Sequence, residues 1–338
     1  MNSTTRAIAS ISATSISDPL SFVDVEMEVP PLAPRDLLVE VRAVSVNPVD
    51  TKVRGNGASP SSPQIIGYDA AGVVRGAGAE VNLFAPGDEV YYAGAIDRPG
   101  TNTQLHVVDE RIVGPKPPSL TFAEAAALPL TTITAWEGLF DKLKLTASSE
   151  GTLLMVGASG GVGSVVLQLL RALVPHVRVI ATASRPEAED WVRSLGAHET
   201  VNHRGDLLAQ IRKVAPEGLD YIFTANSHDQ TELYINVLNT FGQIVAIDDP
   251  AAVDVVKLKS KALSWHWEFM FARSLHQAAD QIRQHDLLSE VAQLVTSGRV
   301  RSTVTTTLRP IAVEQVREAH RLVQSGHMIG KVVITNEA

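Results

Sequence analysis

Residues 154–170 read LMVGASGGVGSVVLQLL. An apolar run breaks into four glycines, Gly157, Gly160, Gly161 and Gly163, and then resumes with helical spacing. Strand, glycine turn and helix in this order are the context in which such a turn binds a dinucleotide. Gly160 lets the backbone approach a pyrophosphate, and Gly163 lets the helix pack closely on the strand. The helix start, over Ser159, Gly161 and Val162, offers free N–H groups and a partial positive charge to the phosphates. Ala158 stands at the first glycine position of the strict motif, so the turn alone is equally readable as a flexible strand-to-helix connection.

The surroundings decide between these readings. From Gly151 to about residue 248, the strands LLMVG, RVIATA, ETVNH, DYIFTA and QIVAID alternate with the helices SVVLQLLRAL, PEAEDWVRSLG, DLLAQIRKV and QTELYINVLN. Strands alternating with helices of this length predict a parallel sheet with crossover helices, a doubly wound α/β domain. The end of its second strand selects the dinucleotide, because an acid there would bind the ribose hydroxyls and repel a 2′-phosphate. Here the segment is ATASRPEAED (181–190), with Ser184 and Arg185 ahead of the first acid, Glu187. A hydroxyl and a guanidinium suit a phosphate dianion, so NADP(H) is expected over NAD(H), against the plainer reading of Arg185 as a solvated surface residue.

The first 125 residues have another texture, with Pro and Gly between short β-rich runs: LLVEVRAVSV (37–46), AAGVVRGAG (70–78), DEVYYAG (88–94) and TQLHVV (103–108). They predict an antiparallel, barrel-like β domain. Around 119–140 the pattern turns helical: Ser119 or Thr121 can cap a short helix, Pro129 ends or kinks it, and a second helix follows. After Pro250 come SWHWEFMFARSL, helices over 277–297, and a tail giving a helix and a closing strand. The expected division is a catalytic β domain over 1–125, completed by about 265–338, and a dinucleotide-binding domain over 126–264.

Composition narrows the function classes. At 338 residues two domains are expected. The net charge of -8, without a basic stripe, argues against nucleic acid as a partner. No window approaches eighteen uncharged apolar residues, so no membrane span is expected. MNSTTRAIASISATSI has no basic start followed by an apolar run, which makes the cytoplasm the default location. There is no cysteine, which excludes disulfides, thiolate nucleophiles and cysteine-based zinc sites together.

Six segments stand in a familiar order: VSVNPVDTKVR (44–54), IIGYDAAGVV (65–74), GDEVYYAG (87–94), AALPLTTITAWEGLF (126–140), GASGGVGS (157–164) and GKVVI (330–334). On them the chain resembles the medium-chain dehydrogenase/reductase superfamily, specifically its zinc-free quinone oxidoreductase-like members, often labelled zinc-type alcohol dehydrogenase-like. The resemblance runs nearly end to end. It implies a GroES-like β-barrel catalytic domain, a Rossmann domain with a doubly wound parallel sheet, and an active-site cleft between them. In zinc-dependent relatives one ligand is a Cys where Asn47 stands, a second is the His of a Gly-His-Glu triplet, here Gly67-Tyr68-Asp69, and a third falls at Leu130. The four-cysteine structural lobe is missing as well, so no metal is expected.

The same resemblance places Asn47 beside the nicotinamide, able to hydrogen-bond a carboxamide or a substrate carbonyl, although it also reads as a turn residue before Pro48. Thr134 matches a threonine that touches the cofactor, or serves as a local cap. His203 falls where relatives put a Tyr over the adenosine end, or is a surface histidine. Thr182, Ile247 and Lys331 complete the expected cofactor set, and Tyr68 and Asp69 face the cleft by the same alignment. Relatives commonly pair their Rossmann domains edge to edge, which implies a homodimer. QIVAID (243–248), taken as an unpaired end of the sheet, would then lie at a contact within about 240–275.

In such an enzyme the cofactor carries the hydride while the protein orients and excludes water. Without a Lewis acid, alcohol oxidation is poorly served. Quinones and α,β-unsaturated carbonyls fit better, since hydride addition gives a hydroquinone anion or an enolate that hydrogen-bond donors can stabilise. Tyr68 is the candidate donor beside water. A metal-free alcohol dehydrogenase and a non-catalytic NADPH-binding protein are the alternatives. The pocket segments 47–54, 92–100 and 262–273 carry no diagnostic charge, and SWHWEFMF (264–271) reads as core or subunit packing before a ring-binding platform.

Overall fold

In the computed structural model, which describes residues 4–12, 14–56 and 58–337, the chain divides into two compact units. One is Met1–Ile133 with Phe271–Ala338; the other is Thr134–Met270. The N-terminal stretch read for a signal includes residues 1–3 and 13, which lie outside the described residues.

The first unit begins with β1 (Thr4–Ser10), β2 (Val23–Glu28), β3 (Asp36–Ser45), β4 (Gln64–Ile65), β5 (Ala70–Ala77), β6 (Glu89–Tyr92), β7 (Leu105–Asp109) and β8 (Val113–Pro115). β1 lies antiparallel between β2 and β4. β3 is the hub of the larger sheet, antiparallel to both β5 and β7, and the order continues through β6 to β8. Leu37, Val39, Val41 and Val44 of β3 are buried and make the centre of this unit's core. Alternation with Arg and Glu on the other face is what makes one side of the strand a core side. Helices α1 (Pro48–Val53), α2 (Phe122–Ala126) and α3 (Pro129–Trp136) leave the sheet. Thr121, of the two residues suggested, caps α2: its Oγ1 accepts from the Glu124 N–H at 3.2 Å and the Glu124 carboxylate accepts from the Thr121 N–H at 2.9 Å.

The second unit is a six-stranded parallel sheet of β9 (Gly151–Val156), β10 (Val177–Thr182), β11 (Glu199–Val201), β12 (Leu219–Thr224), β13 (Leu238–Ala246) and β14 (Ser264–Trp267). Its order is β11-β10-β9-β12-β13-β14, with α4 (Gly161–Leu173), α5 (Pro186–Leu195), α6 (Leu207–Val214) and α7 (Thr231–Val237) as crossovers. The order reverses between β9 and β12, and ligands of such sheets bind at the carboxyl ends of the strands at that point. One expectation is corrected. QIVAID does not end the sheet: β14 pairs along it, Gln243 opposite Ser264 and Ala246 opposite Trp267, so SWHW is the edge strand. The second helix of 119–140 passes into a π-helix over Glu137–Lys142, where a side chain on Gly138 would meet the Phe223 ring at 2.3 Å.

The chain then re-enters the first unit as α8 (Ala272–Leu275), α9 (Arg283–Thr296), β15 (Val304–Leu308), α10 (Val313–Gln324) and β16 (Lys331–Thr335). Of the helices expected over 277–297 the structure has one, α9; α8 lies ahead of that range, with turns between the two. β16 closes antiparallel on β3 and parallel to β15. Among the described residues no helix is long and apolar enough to cross a membrane.

Candidate active site

In the parallel-sheet unit, β9 runs straight into the glycine turn. Gly157 has φ +78°, a left-handed conformation that a side chain would strain, and its N–H donates to Thr182 Oγ1 at 3.0 Å. A Cβ on Gly163 would lie 2.5 Å from the Ala158 backbone, so only glycine lets α4 sit this close to the turn. Gly160 caps α4, and a Cβ there would meet only the Gly157 carbonyl oxygen at 3.4 Å. This face of the turn is open. The first turn of α4 holds no acid, and its leading N–H groups point toward that face, as helix starts do. Ser159, Gly160, Gly161 and Val162 are half-buried around it, and Gly163 is buried.

The other nucleotide-side residues follow the carboxyl ends of neighbouring strands. Thr182 closes β10 and is buried; Ser184 and Arg185 follow it, half-buried, with Arg185 at the cap of α5 ahead of Pro186. Ile247 follows β13, and its N–H donates to the Thr224 carbonyl at 3.1 Å. His203 lies exposed after β11; local desolvation and then Arg204 hold it below the usual histidine range. Thr134 is buried at the start of this unit. Sequence reasoning did not find the support beneath the turn: Ser164 Oγ donates to the Gly160 carbonyl at 2.7 Å and accepts from Trp191 Nε1 at 2.8 Å. An open glycine face, a thirteen-residue helix start and a hydroxyl–guanidinium pair past β10 fit a nicotinamide dinucleotide.

The first unit holds the other expected residues, and Lys331 is among them. Asn47, Asp50, Asp69 and Lys331 form one buried polar cluster. The Asn47 side-chain amide donates to Asp69 Oδ2 at 2.8 Å and to the Tyr68 carbonyl at 3.3 Å, while its oxygen accepts from the Lys331 ammonium. Lys331 Nζ also donates to Asp69 Oδ2 at 3.0 Å and to the Val46 carbonyl at 3.2 Å. Asp69 Oδ1 accepts from the Leu130 N–H at 2.8 Å. Asp50 Oδ2 accepts from the Asn47 N–H at 2.6 Å, and Asp50 Oδ1 is buried without a partner among the described residues.

Two carboxylates and one ammonium share a space closed to water, so charge balances best with one proton on the carboxylates. Burial raises both acids. Asp69 is partly compensated by Lys331, Asn47 and the Leu130 N–H. Asp50 is pushed up to about 7, chiefly by burial, against the opposing pull of the Asn47 N–H and Lys331. A signal for Asp50 was present in the sequence: Asn-Pro-x-Asp is a helix start whose fourth residue reaches back to its first N–H.

Zinc does not fit here. A metal site needs three or four nitrogen, sulfur or carboxylate donors facing one point. The ligand positions carry an amide, a phenol and a leucine, and a lysine ammonium already sits on Asn47 and Asp69. Among the described residues no three His, Cys, Asp or Glu side chains are grouped to hold a metal ion.

Tyr68 is 4% exposed and meets the Phe271 ring edge to face, centroids 5.1 Å apart. Burial, then Asp50 and Asp97, raise its phenol well above the ordinary range, so it remains a hydroxyl throughout physiological pH. It lines a cavity of about 490 Å³ within this unit, whose apolar wall includes Val25, Met27, Ile65 and Ile66. That volume lies within the range of small-molecule sites.

Residues 33–135 match the alcohol dehydrogenase GroES-like domain, and residues 195–334 match a zinc-binding dehydrogenase family. The chain is 38% identical over 310 residues to a zinc-type alcohol dehydrogenase-like protein of Staphylococcus aureus (strain MSSA476), covering 88% of this chain and 90% of that one. It is 31% identical to the human mitochondrial NAD(P)H oxidoreductase RTN4IP1, covering 89% and 82%. Among solved structures, a candidate zinc-dependent alcohol dehydrogenase from Rhizobium etli CFN 42 superposes with a TM-score of 0.95 at 44% identity, over 100% of both chains.

Proposed function

Because the chain belongs to the medium-chain dehydrogenase/reductase superfamily and is an oxidoreductase of that family, we propose that it reduces quinones or α,β-unsaturated carbonyls with NADPH and without a metal. The observation that carries this reading is that, of the three positions where zinc-dependent relatives keep ligands, Asn47 is taken up by Lys331 and Asp69, while Tyr68 and Leu130 offer a phenol and an apolar side chain. A bound nicotinamide supplies the hydride. NADPH is favoured over NADH by Ser184 and Arg185, which offer a hydroxyl and a guanidinium where an acid would repel the 2′-phosphate.

The chain's own residues do the rest. Gly157–Gly163 and the start of α4 hold phosphate, with Thr182 fixing the turn. Tyr68 donates a hydrogen bond to the substrate oxygen as negative charge grows there. Its raised pKa suits donation without full proton transfer, and the proton is left to solvent. Asn47 has its amide engaged with Asp69, Lys331 and the Tyr68 carbonyl, so it acts by fixing the Tyr68 backbone. An alkanol substrate would need deprotonation near neutral pH, and no group of this cluster serves as a strong base for it.

The test is steady-state oxidation of NADPH with a panel of quinones, enones and enals, alongside reduction of NADP⁺ with alkanols. The expected result is turnover with the first group and none with alkanols. Alkanol oxidation at comparable rates would instead make the protein a metal-free alcohol dehydrogenase. Tight NADPH binding without turnover of any member would make it a non-catalytic binder.

A further inference from the structure

The cavity of the first unit carries charge that its sequence segments did not announce. Glu26, Asp97 and Arg98 stand in its wall among Val25, Met27 and Ile96. Among the described residues Arg98 is the one cation of that wall, and it is paired with Asp36. Its Nη1 and Nη2 lie 2.9 Å from Oδ1 and Oδ2 of the buried Asp36, a two-pronged pair. Glu26 accepts from the neutral hydroxyl of Thr4 at 2.6 Å.

Asp97 is held in place by its neighbours. Arg98 is locked to Asp36 on one side. Beyond it, the Pro99 carbonyl lies 2.9 Å from His106 Nε2, and His106 Nδ1 lies 3.2 Å from the Tyr92 hydroxyl on which its ring is stacked. Burial lowers His106 to about 4, so the ring is neutral, with Nε2–H donating to Pro99 and Nδ1 accepting from Tyr92. The loop that presents Asp97 is therefore anchored at successive residues. Its negative charge reaches Tyr68 across the cavity, where it adds to the forces that keep the phenol protonated.

An anionic substrate in this space would face two carboxylates, with no free cation among the described residues of the wall. We infer that the cavity selects neutral carbonyl compounds and rejects carboxylate-bearing ones, with Asp97 as the specificity-determining residue. This rests on the proposed reduction only for the choice of carbonyl compounds.

The test is equilibrium binding of cinnamaldehyde and of its para-carboxylate, by calorimetry on the full chain, with NADPH oxidation followed in parallel. The neutral aldehyde is expected to bind at least about tenfold more tightly, since charge repulsion acts on specificity in this way. Asp97→Asn should reduce the preference at least about threefold, Asp97→Lys should reverse it, and added salt should narrow it. Equal affinity in the natural protein, a preference unmoved by both substitutions, or no binding of either aldehyde would overturn the inference. Binding preference without turnover would overturn the reduction reading and leave the selectivity standing; turnover of both aldehydes without preference would do the reverse.

Discussion

Lys331 shows how a single residue can carry both the fold and the functional argument. Its ammonium is buried against Asp69, Asn47 and the Val46 carbonyl. Lys331→Met removes the ammonium on Asp69 and leaves it, among the described residues, with only the Asn47 amide and the Leu130 N–H, which should cost roughly 3–5 kcal/mol in denaturant unfolding. Adding Asp69→Asn should recover part of that loss, and full additivity of the two changes would show that they are not a pair. The sequence offered Lys331 only through resemblance, as a cofactor residue, because spacing along a chain cannot show which acid a lysine 262 positions away will meet. Asn47 was readable as a turn residue before Pro48, but its partners were not, for the same reason.

His320 makes the second case at this scale. It is fully buried on α10, both ring nitrogens lack partners among the described residues, and it meets Phe22 edge on at 4.8 Å. Burial, then Arg54, lowers it to about 3. The unfolded chain takes up a proton near pH 6.5 that the folded chain refuses. This contribution to stability is complete above that pH and is lost as pH falls toward 3. At pH 5 the loss amounts to about 2 kcal/mol. His320→Phe should therefore gain stability relative to the natural protein on going from pH 7.5 to pH 5. A difference between the two proteins that stays constant over this interval would refute the assignment.

Among the elements, the run from β9 through α4 was readable almost residue by residue, because strand, glycines and helix each have a local cause. Gly163 is required by the approach of α4 to Ala158, as its position in the motif implied. Elements lacking such causes were misread. β14 has only four residues, SWHW, too few for alternation to show, and its place depends on pairing with β13. The π-helix that continues the expected second helix had no signal in the sequence, and the close approach of Gly138 to the Phe223 ring joins residues far apart in the chain. The N-terminus of α5 carries the cofactor prediction. Arg185→Ala should weaken NADPH binding tenfold or more in order of magnitude, the effect of losing charge-assisted hydrogen bonds. NADH binding should change far less. Fluorescence titration with both cofactors checks this, and equal losses would mean that Arg185 acts through the cap of α5.

At the scale of the molecule, both domains were legible because each has its own periodicity, alternating apolar residues in one and strand–helix alternation in the other. The charged wall of the cavity was not, since Glu26 and Asp97 come from segments seventy residues apart. The corrected edge bears on assembly: β14 covers β13, which counts against a contact through QIVAID. A homodimer built by sheet extension is then expected to join through β14, where Trp267 is 50% exposed, with Phe269 just past the strand at 47%. Light scattering should give about twice 36.2 kDa, and Trp267→Glu should shift the mass toward one chain. A natural protein of monomer mass at micromolar concentration would rule the dimer out.

The central claim is hydride transfer to an activated carbonyl or quinone without a metal. Its most direct measurement is the rate of NADPH oxidation by cinnamaldehyde or a naphthoquinone before and after metal stripping, with a strong chelator kept in the assay. The cluster of Asn47, Asp69 and Lys331 predicts the same rate in both samples. A rate abolished by stripping and restored by one equivalent of zinc would contradict it.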